Sequence, residues 1–229
     1  MTPDTIEVSE MFSSLQGEGR RCGYPATFLR LRRCNLACTW CDQKETWDPT
    51  NEGYNNYETL ILWEIRERIL DYGNNLLVIT GGEPLIWQRQ LKRLVESIPF
   101  EMSIEIETNG TVSPKDLSLT RTDFNVSPKL NNSGNGIRNT VMHPAFLDLY
   151  KRKKAVLKYV VSDPEDFEEI DWQVRNWGLN GNGIFIMPEG VDRETICNRL
   201  PWLFDACNER GYNLTTRLHV LAFGDMKGV

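Results

Sequence analysis

Two kinds of apolar pattern alternate along the chain. Short stretches rich in branched and aromatic residues are typical of strands, and longer stretches whose apolar residues recur about every 3.6 positions are typical of helices. Pro201 should kink or divide the last helix, because proline lacks the N–H donor that a helix interior needs. Helices are predicted at residues 57–70, 87–98, 143–150, 163–178 and 194–210. Strands are predicted at residues 27–32, 76–80, 102–107, 123–126, 155–161, 183–187 and 214–221.

This alternation predicts an α/β fold. Crossovers of one hand roll a parallel sheet into a barrel with helices on the outside. A complete eightfold barrel takes about 250 residues, and the 229 residues here supply too few strand-helix units. We therefore expect an incomplete, partial TIM-like β/α barrel, formed by residues 1–229 as a single domain.

Polar residues recur on one side of the predicted strands. In the strand at 102–107 the apolar side chains alternate with polar ones, which places Glu105 and Glu107 on the opposite face. The same parity places Asn125 and Lys158 on that face of their own strands. An antiparallel sheet with one solvated face would give the same alternation, so the pattern supports a polar barrel lumen without proving it.

Composition and charge narrow the range of possible functions. The net charge of -6 argues against a nucleic-acid binder, which needs a basic face, and favours a small-molecule substrate. No apolar run approaches the roughly 18 residues of a membrane span, and the first thirty residues lack the apolar core of a signal peptide. We expect no membrane partner and a cytoplasmic location, where Cys22, Cys197 and Cys207 would be free thiols.

Three cysteines lie close together after the first predicted strand. Cys34, Cys38 and Cys41 form a C-x3-C-x2-C triplet, and clustered thiolates favour zinc, copper(I) or an iron-sulfur centre. A structural zinc site usually has four ligands, but the chain has no second cysteine pair, and His143 and His219 stand alone. The residues alone leave three alternatives: an iron-sulfur centre, a zinc-stabilised binding module without catalysis, and unligated thiols.

The triplet spacing, with aromatic Trp40 before the last cysteine, resembles the radical S-adenosylmethionine (SAM) superfamily. That resemblance implies a radical SAM core, a 4Fe-4S cluster on three cysteines, and SAM chelated by the fourth iron. The Gly-Gly-Glu-Pro run at residues 81–84, which follows a strand of buried type, resembles the motif that holds the methionyl amino group of SAM. Glycines at the carboxyl end of a parallel strand also let a ligand approach the backbone closely.

A more specific resemblance extends from residue 11 to residue 229. The chain is similar to the 7-carboxy-7-deazaguanine synthase family, whose members contract 6-carboxy-5,6,7,8-tetrahydropterin to 7-carboxy-7-deazaguanine, release ammonia and regenerate SAM on the route to queuosine. This resemblance implies that the protein is a carbon-nitrogen lyase, that it uses an electron donor such as flavodoxin, and that it forms a homodimer. The segments that carry it are Gln-Gly-Glu-Gly at 16–19, Cys-Asp at 41–42, Ser-Pro-Lys at 127–129, Leu-Lys at 157–158, Met-Pro-Glu-Gly at 187–190 and Gly-Val at 228–229.

The resemblance also implies roles for individual residues. Arg30 is favoured on physical grounds as well, because a guanidinium can hold a carboxylate through two parallel hydrogen bonds. The cluster would be ligated by Cys34, Cys38 and Cys41. SAM would be contacted by Trp40, Asp42, Gly82, Ser127, Pro128 and Lys129. The pterin would be contacted by Leu15, Gln16, Gly17, Arg30, Thr80 and the carboxylate of Val229, with Glu18, Glu107, Lys158 and His219 as further candidates.

One position departs from the family pattern. Family members usually carry Thr or Ser after the Cys-Asp pair, and its hydroxyl ligates Mg2+ beside the substrate carboxylate; this chain has Gln43. Octahedral Mg2+ tolerates misplaced ligands poorly, so we expect weak or altered Mg2+ dependence. A second enzyme reading is a radical SAM activase that installs a glycyl radical on a partner protein. The Gln-Gly-Glu-Gly segment and the Gly-Val ending argue against it.

Overall fold

A computed structural model describes residues 4–117 and 120–229. None of the helices in those ranges has the length and apolar character needed to cross a membrane. The helices are α1 (Leu62–Asp71), α2 (Gln88–Ser97), α3 (Ala145–Lys151), α4 (Asp166–Trp177), α5 (Arg193–Arg210) and α6 (Leu218–Phe223). The strands are β1 (Thr5–Leu15), β2 (Pro25–Leu31), β3 (Glu58–Ile61), β4 (Leu76–Gly81), β5 (Ser103–Thr108), β6 (Asp123–Val126), β7 (Ala155–Val161), β8 (Ile184–Pro188) and β9 (Asn213–Leu214).

The strands of the described residues form one open sheet in the order β3-β1-β2-β4-β5-β6-β7-β8-β9. β1 runs antiparallel to both β2 and β3, and every pairing from β2 through β9 is parallel. The parallel part carries helices between most of its strands, as the alternating pattern predicts. The predicted incomplete β/α barrel is therefore confirmed, with an added antiparallel edge.

The predicted elements differ from the observed ones at both ends of the chain. β1 was not predicted, and residues 58–61 are strand rather than helix because they pair with the start of β1. The predicted strand at 214–221 is also wrong: β9 ends at Leu214 and the chain then enters α6. The backbone N–H of Leu218 donates to the Gly17 carbonyl at 3.0 Å, which draws this segment across the barrel mouth. α5 is not divided, since it continues through Pro201.

The hydrophobic core lies between the sheet and its helices. Leu29, Ile79, Ile106 and Leu157 are fully buried on the helix-facing side of their strands. Burying a side chain of this size contributes about 1.5–3 kcal/mol, so this layer accounts for much of the stability. The helices meet it with Ile65, Leu91, Leu94, Phe146, Ile170 and Leu203.

The opposite face of the sheet encloses a polar lumen filled by the segment that follows β1. Gln16 donates its amide to Glu107 at 3.1 Å. Farther down, Arg21 donates to Glu105 at 3.1 Å and to Asp123 at 2.8 Å. Buried carboxylates need such partners, because an unpaired charge in a protein interior is costly. Residues 16–21 therefore close the lower lumen and leave the upper part open.

Gly81 at the end of β4 permits a close approach between two strands. Its φ is +123°, and a Cβ built there would lie 2.1 Å from the carbonyl oxygen of Leu31. No side chain fits that space, and the left-handed backbone disfavours other residues as well. The neighbouring N–H of Gly82 donates to the same carbonyl at 2.9 Å. The glycine thus fixes the point where the chain after β2 leaves the sheet.

We predict that Gly81→Ala lowers the free energy of unfolding by about 3 kcal/mol, since backbone atoms cannot yield as a flexible side chain can. Urea denaturation followed by circular dichroism measures the change. Gly136→Ala is the matched control, because the nearest atom to its added Cβ is Asn139 Nδ2 at 3.9 Å. Equal stability of Gly81→Ala and wild type would contradict this account of the β2–β4 contact.

Candidate active site

The cysteine loop leaves β2 and is held in place by two other segments. The N–H of Arg33 donates to the Thr46 carbonyl at 2.8 Å, and that of Thr39 to the Ser133 carbonyl at 3.0 Å. The N–H of Ala37 donates to the side-chain oxygen of Asn135 at 3.0 Å. The sulfurs of the cysteine triplet line one cavity at the carboxyl end of the parallel sheet, where ligands of such sheets bind.

The cysteine sulfurs have nearby N–H donors. Asn135 Nδ2 lies 3.1 Å from Cys38 Sγ, and Trp47 Nε1 lies 3.3 Å from Cys41 Sγ. Burial raises the pKa of Cys34 to about 11, so its proton is lost readily only to a bound metal. Hydrogen bonds to cluster sulfurs tune reduction potential, and these residues therefore fit an iron-sulfur cluster.

The three cysteines supply one ligand fewer than a structural zinc site needs. Across residues 4–117 and 120–229, no three His, Cys, Asp or Glu side chains are grouped closely enough to hold one ion. A structural zinc site needs four ligands around one centre. An iron-sulfur cluster is larger and takes its thiolates on separate irons, so its ligands need not converge on one point. The three thiolates are therefore compatible with such a cluster.

Glu83 of the Gly-Gly-Glu-Pro run has a structural role in this molecule. It is fully buried, and its carboxylate accepts from Thr108 Oγ1 at 2.7 Å, the Asn109 N–H at 2.7 Å and the Leu85 N–H at 2.9 Å. Burial raises the pKa of Glu83 above its ordinary value. The carboxylate thus joins the ends of β4 and β5, while Gly82 reaches the cavity.

A half-buried lysine and an aromatic ring flank the cysteine loop. Lys129 Nζ donates to Ser127 Oγ at 2.8 Å and lies 5.3 Å from the centre of the Trp40 ring. Trp40 is held in turn by a 3.2 Å hydrogen bond from its Nε1 to Asn132. Burial lowers the pKa of Lys129, and a nearby anion would favour its charged form. Both side chains line the cavity beside the cysteines.

The other side of the cavity is hydrogen-bonding and partly charged. Thr80 Oγ1 donates to Glu107 at 2.8 Å, and Arg30 Nε donates to Glu10 at 3.1 Å. A Cβ on Gly17 would lie 2.2 Å from the Nδ1 atom of His219, so the glycine lets this ring reach the cavity wall.

Burial lowers the pKa of His219 below that of a free imidazole, which favours the neutral form. A neutral imidazole has one donor and one acceptor nitrogen, so His219 can donate to or accept from a bound ligand without bringing a charge into the cavity.

The cavity brings together residues that are distant in sequence. Pro128 lies beside the lining residues but is not one of them. All the other predicted site residues line it: Leu15, Gln16, Gly17, Arg30, Cys34, Cys38, Trp40, Cys41, Asp42, Gln43, Thr80, Gly82, Ser127, Lys129 and Val229, together with Glu18, Glu107, Lys158 and His219.

Known proteins resemble this chain over its whole length. The family model of the radical SAM superfamily matches residues 29–121. A 7-carboxy-7-deazaguanine synthase of Pyrobaculum aerophilum is 34% identical over 226 residues, covering 97% of each chain. One of Buchnera aphidicola subsp. Schizaphis graminum is 35% identical over 93% of this chain and 95% of its own. This chain belongs to the 7-carboxy-7-deazaguanine synthase family.

A solved structure supports the same assignment. The crystal structure of QueE from Escherichia coli superposes with a TM-score of 0.72 and 27% identity, covering 94% of this chain and 95% of that one. The radical SAM resemblance of the cysteine triplet is therefore confirmed at the level of family and fold. The roles of individual side chains stay predictions.

Arg217 is a cavity-lining residue that the sequence reasoning missed. It is 9% exposed; its Nε donates to Glu18 at 3.0 Å, Nη1 to the Gly190 carbonyl at 2.7 Å, and Nη2 to Asp42. Lys158 Nζ also donates to Glu18. The sequence did carry one signal, because Glu18 and Asp42 both lie in motifs and carboxylates in a protein interior need cationic partners. No local pattern, however, pointed to residue 217 as the partner.

These contacts decide the ionisation of both acids. Burial disfavours the charged form of Glu18, but the charges of Lys158 and Arg217 outweigh burial and hold its pKa well below the ordinary value. Burial likewise opposes ionisation of Asp42, and the Arg217 charge overcomes it and lowers that pKa. The two carboxylates and the two cations form one largely buried group of opposite charges.

We predict that Arg217→Leu lowers the free energy of unfolding by about 2–3 kcal/mol, because it leaves Asp42 without its ionic partner and Glu18 with Lys158 alone. Urea denaturation near pH 7 measures the loss. Arg210→Leu is the control, since Arg210 forms a half-exposed pair with Asp171 at 3.1 Å and should cost at most about 1 kcal/mol.

Acid titration tests the same contact a second way. In the wild type, the depressed pKa values of Glu18 and Asp42 stabilise the fold above the unfolded carboxyl pKa of about 4, and this stability is lost as pH falls through the folded values. Arg217→Leu raises both folded values and should flatten that loss. An unchanged acid slope would show that Arg217 does not hold these carboxylates ionised.

Proposed function

We propose that this protein is a radical SAM lyase that converts 6-carboxy-5,6,7,8-tetrahydropterin to 7-carboxy-7-deazaguanine with release of ammonia. The observation that carries the proposal is one cavity lined by a cysteine triplet on one side and by Gln16, Arg30 and Thr80 on the other. The relatives that bear the synthase name match 97% of the chain in the Pyrobaculum case. Both parts of the site thus occur in one chain of the expected length.

The cysteine side fits an iron-sulfur cluster and SAM. When bound, the cluster and SAM supply one-electron cleavage that generates an adenosyl radical. Cys34, Cys38 and Cys41 would hold the cluster. Lys129 and Trp40 are placed beside it, where a cation and an aromatic ring suit the carboxylate and the adenosyl part of SAM. A one-electron donor such as flavodoxin would be needed.

The opposite side suits a carboxylated pterin. Glu10 holds Arg30 through its Nε edge, which leaves the terminal Nη groups to form a bidentate pair with the substrate carboxylate. Thr80 and Gln16 are both oriented by Glu107. Neutral His219 can donate to or accept from the ring without adding charge. These residues would hold the pterin in one orientation toward the cluster.

Anaerobic reconstitution tests the proposal. We expect a brown protein with about four irons and four sulfides per chain that, with reductant and SAM, converts the carboxytetrahydropterin to a deazaguanine product without consuming SAM. A Cys38→Ala variant is the control and should lose both iron and turnover. A colourless protein with zinc, or a cluster protein that leaves the pterin unchanged, would refute the proposal.

Gln43 sets the expected response to Mg2+. Its Oε1 atom is buried, has no hydrogen-bond partner among the described residues, and belongs to a cavity-lining side chain. An amide oxygen can ligate Mg2+, although octahedral Mg2+ tolerates misplaced ligands poorly. We propose that Mg2+ binds here weakly or not at all, with the Gln43 amide meeting the substrate directly.

We therefore predict that removing Mg2+ changes wild-type turnover severalfold at most, whereas Gln43→Thr makes turnover depend strongly on Mg2+. Turnover is measured against Mg2+ concentration after treatment with a chelator. Gln43→Ala serves as control, because it removes the amide without supplying a hydroxyl ligand. A wild-type enzyme that stops without Mg2+ as completely as Gln43→Thr would rule out this reading.

A further inference from the structure

Asn125 has a buried side chain with both polar atoms unsatisfied. The residue is 1% exposed, and within the described part of the chain neither Oδ1 nor Nδ2 has a hydrogen-bond partner. It lies on β6, in the middle of the sheet. Leaving a buried donor and acceptor unpaired destabilises a fold. Such an arrangement indicates a ligand at the site.

The amide belongs to a layer of polar side chains across four neighbouring strands. Arg30 of β2 is in register with Thr80 of β4, and Glu107 of β5 is in register with Asn125 of β6. The 2.8 Å hydrogen bond from Thr80 to Glu107 joins the two pairs. All four side chains line the same cavity. Asn125 thus completes a layer that already contains two expected substrate contacts.

The segment after β1 shapes the space around this amide. Gly19 has a φ of +68°, and a Cβ there would lie 2.5 Å from Asn125 Nδ2. The N–H of Gly19 donates to Thr215 Oγ1 at 2.9 Å, so the glycine is held close to the amide without satisfying it. Gln16 and Gly17 of the same segment are expected pterin contacts. The amide therefore lies on the pterin side of the cavity.

We propose that Asn125 is a further substrate-binding residue, whose carboxamide hydrogen bonds to the amide-like edge of a pterin ring. A pterin presents a carbonyl acceptor and N–H donors next to each other, and a carboxamide offers the complementary donor and acceptor. SAM is a poorer ligand for this amide than the pterin. Its candidate contact Ser127 lies two residues farther along the same segment, toward the cysteines. The inference rests on the proposed function and names a residue that it did not include.

The test measures ligand binding and stability in parallel. Cluster-loaded Asn125→Leu keeps the volume of the side chain and removes both polar atoms. We expect it to bind 6-carboxypterin, a stable oxidised analogue, on the order of tenfold or more weakly, and to bind SAM as the wild type does. We also expect a higher Tm without ligand, because two unsatisfied buried atoms are removed. Anaerobic calorimetry and thermal denaturation give these values.

Gln173→Leu is the matched control. Gln173 is also buried, but it accepts from the Tyr159 hydroxyl at 2.9 Å and lies on α4, outside the cavity lining. Its replacement breaks satisfied hydrogen bonds, so Tm should fall while pterin affinity stays unchanged. The two variants are expected to move Tm in opposite directions and to differ in pterin affinity. A merely structural Asn125 would not produce this contrast.

The outcomes separate the two proposals. Unchanged pterin affinity in Asn125→Leu, with a lowered Tm, would show that the amide holds a buried water and would overturn the inference. If Asn125→Leu fails to fold, Asn125→Asp keeps the size and loses the donor, and wild-type pterin affinity in that variant would overturn the inference equally. A wild-type protein that binds SAM but no pterin would refute the proposed function, and the inference would fall with it.

Discussion

The arrangement of the site depends on Arg217, whose guanidinium neutralises two largely buried carboxylates. Glu18 comes from the segment after β1 and Asp42 from the cysteine loop, and the guanidinium bridges them from the chain that follows β9. Burial opposes ionisation of both acids, and the Arg217 charge, joined at Glu18 by that of Lys158, offsets this cost. One electrostatic contact therefore links the cysteine loop to the segment after β1. Together with the hydrogen bond from Leu218 to Gly17, it holds the chain after β9 at the barrel mouth.

The open barrel is completed by chain segments rather than by more strands. Residues 16–21 fill the lower lumen with charges that pair with Glu105 and Asp123, and the chain after β9 covers part of the mouth. A closed barrel fills its centre with side chains from its own strands. Here the sheet stops short, so a polar loop supplies that filling, and its upper end is available to bind a ligand. The same short segment thus fills the lumen and is available to contact a ligand.

The sequence predicted the parallel strands well because each is short, buried and bounded by turn residues. β4 and β6 agree with their predicted bounds to within one residue. β1 was missed because most of its residues are only partly buried and its pattern lacks a continuous apolar run. The predictions at β3 and at the C-terminal helix were wrong. Residues 58–61 form a strand because they pair with β1, and the contact of Leu218 with Gly17 decides the path of the chain after β9. Such long-range contacts leave no local periodicity. Arg217 was missed for the same reason, whereas the cysteine loop was found from spacing alone.

Two residues of the Gly-Gly-Glu-Pro motif have different roles. Gly82 reaches the cavity, while Glu83 uses both carboxylate oxygens on the fold and joins β4 to β5. Satisfied buried groups of this kind hold the site rigid. Unsatisfied ones mark where the ligands are expected: in the described residues, Gln43 and Asn125 have unpaired buried amide atoms and also line the cavity. Without ligand, the residues that line the cavity are then less stable than the surrounding fold. These amides lack hydrogen bonds that a bound molecule can supply. Ligand binding should therefore stabilise the layer of polar side chains more than the helix-facing core.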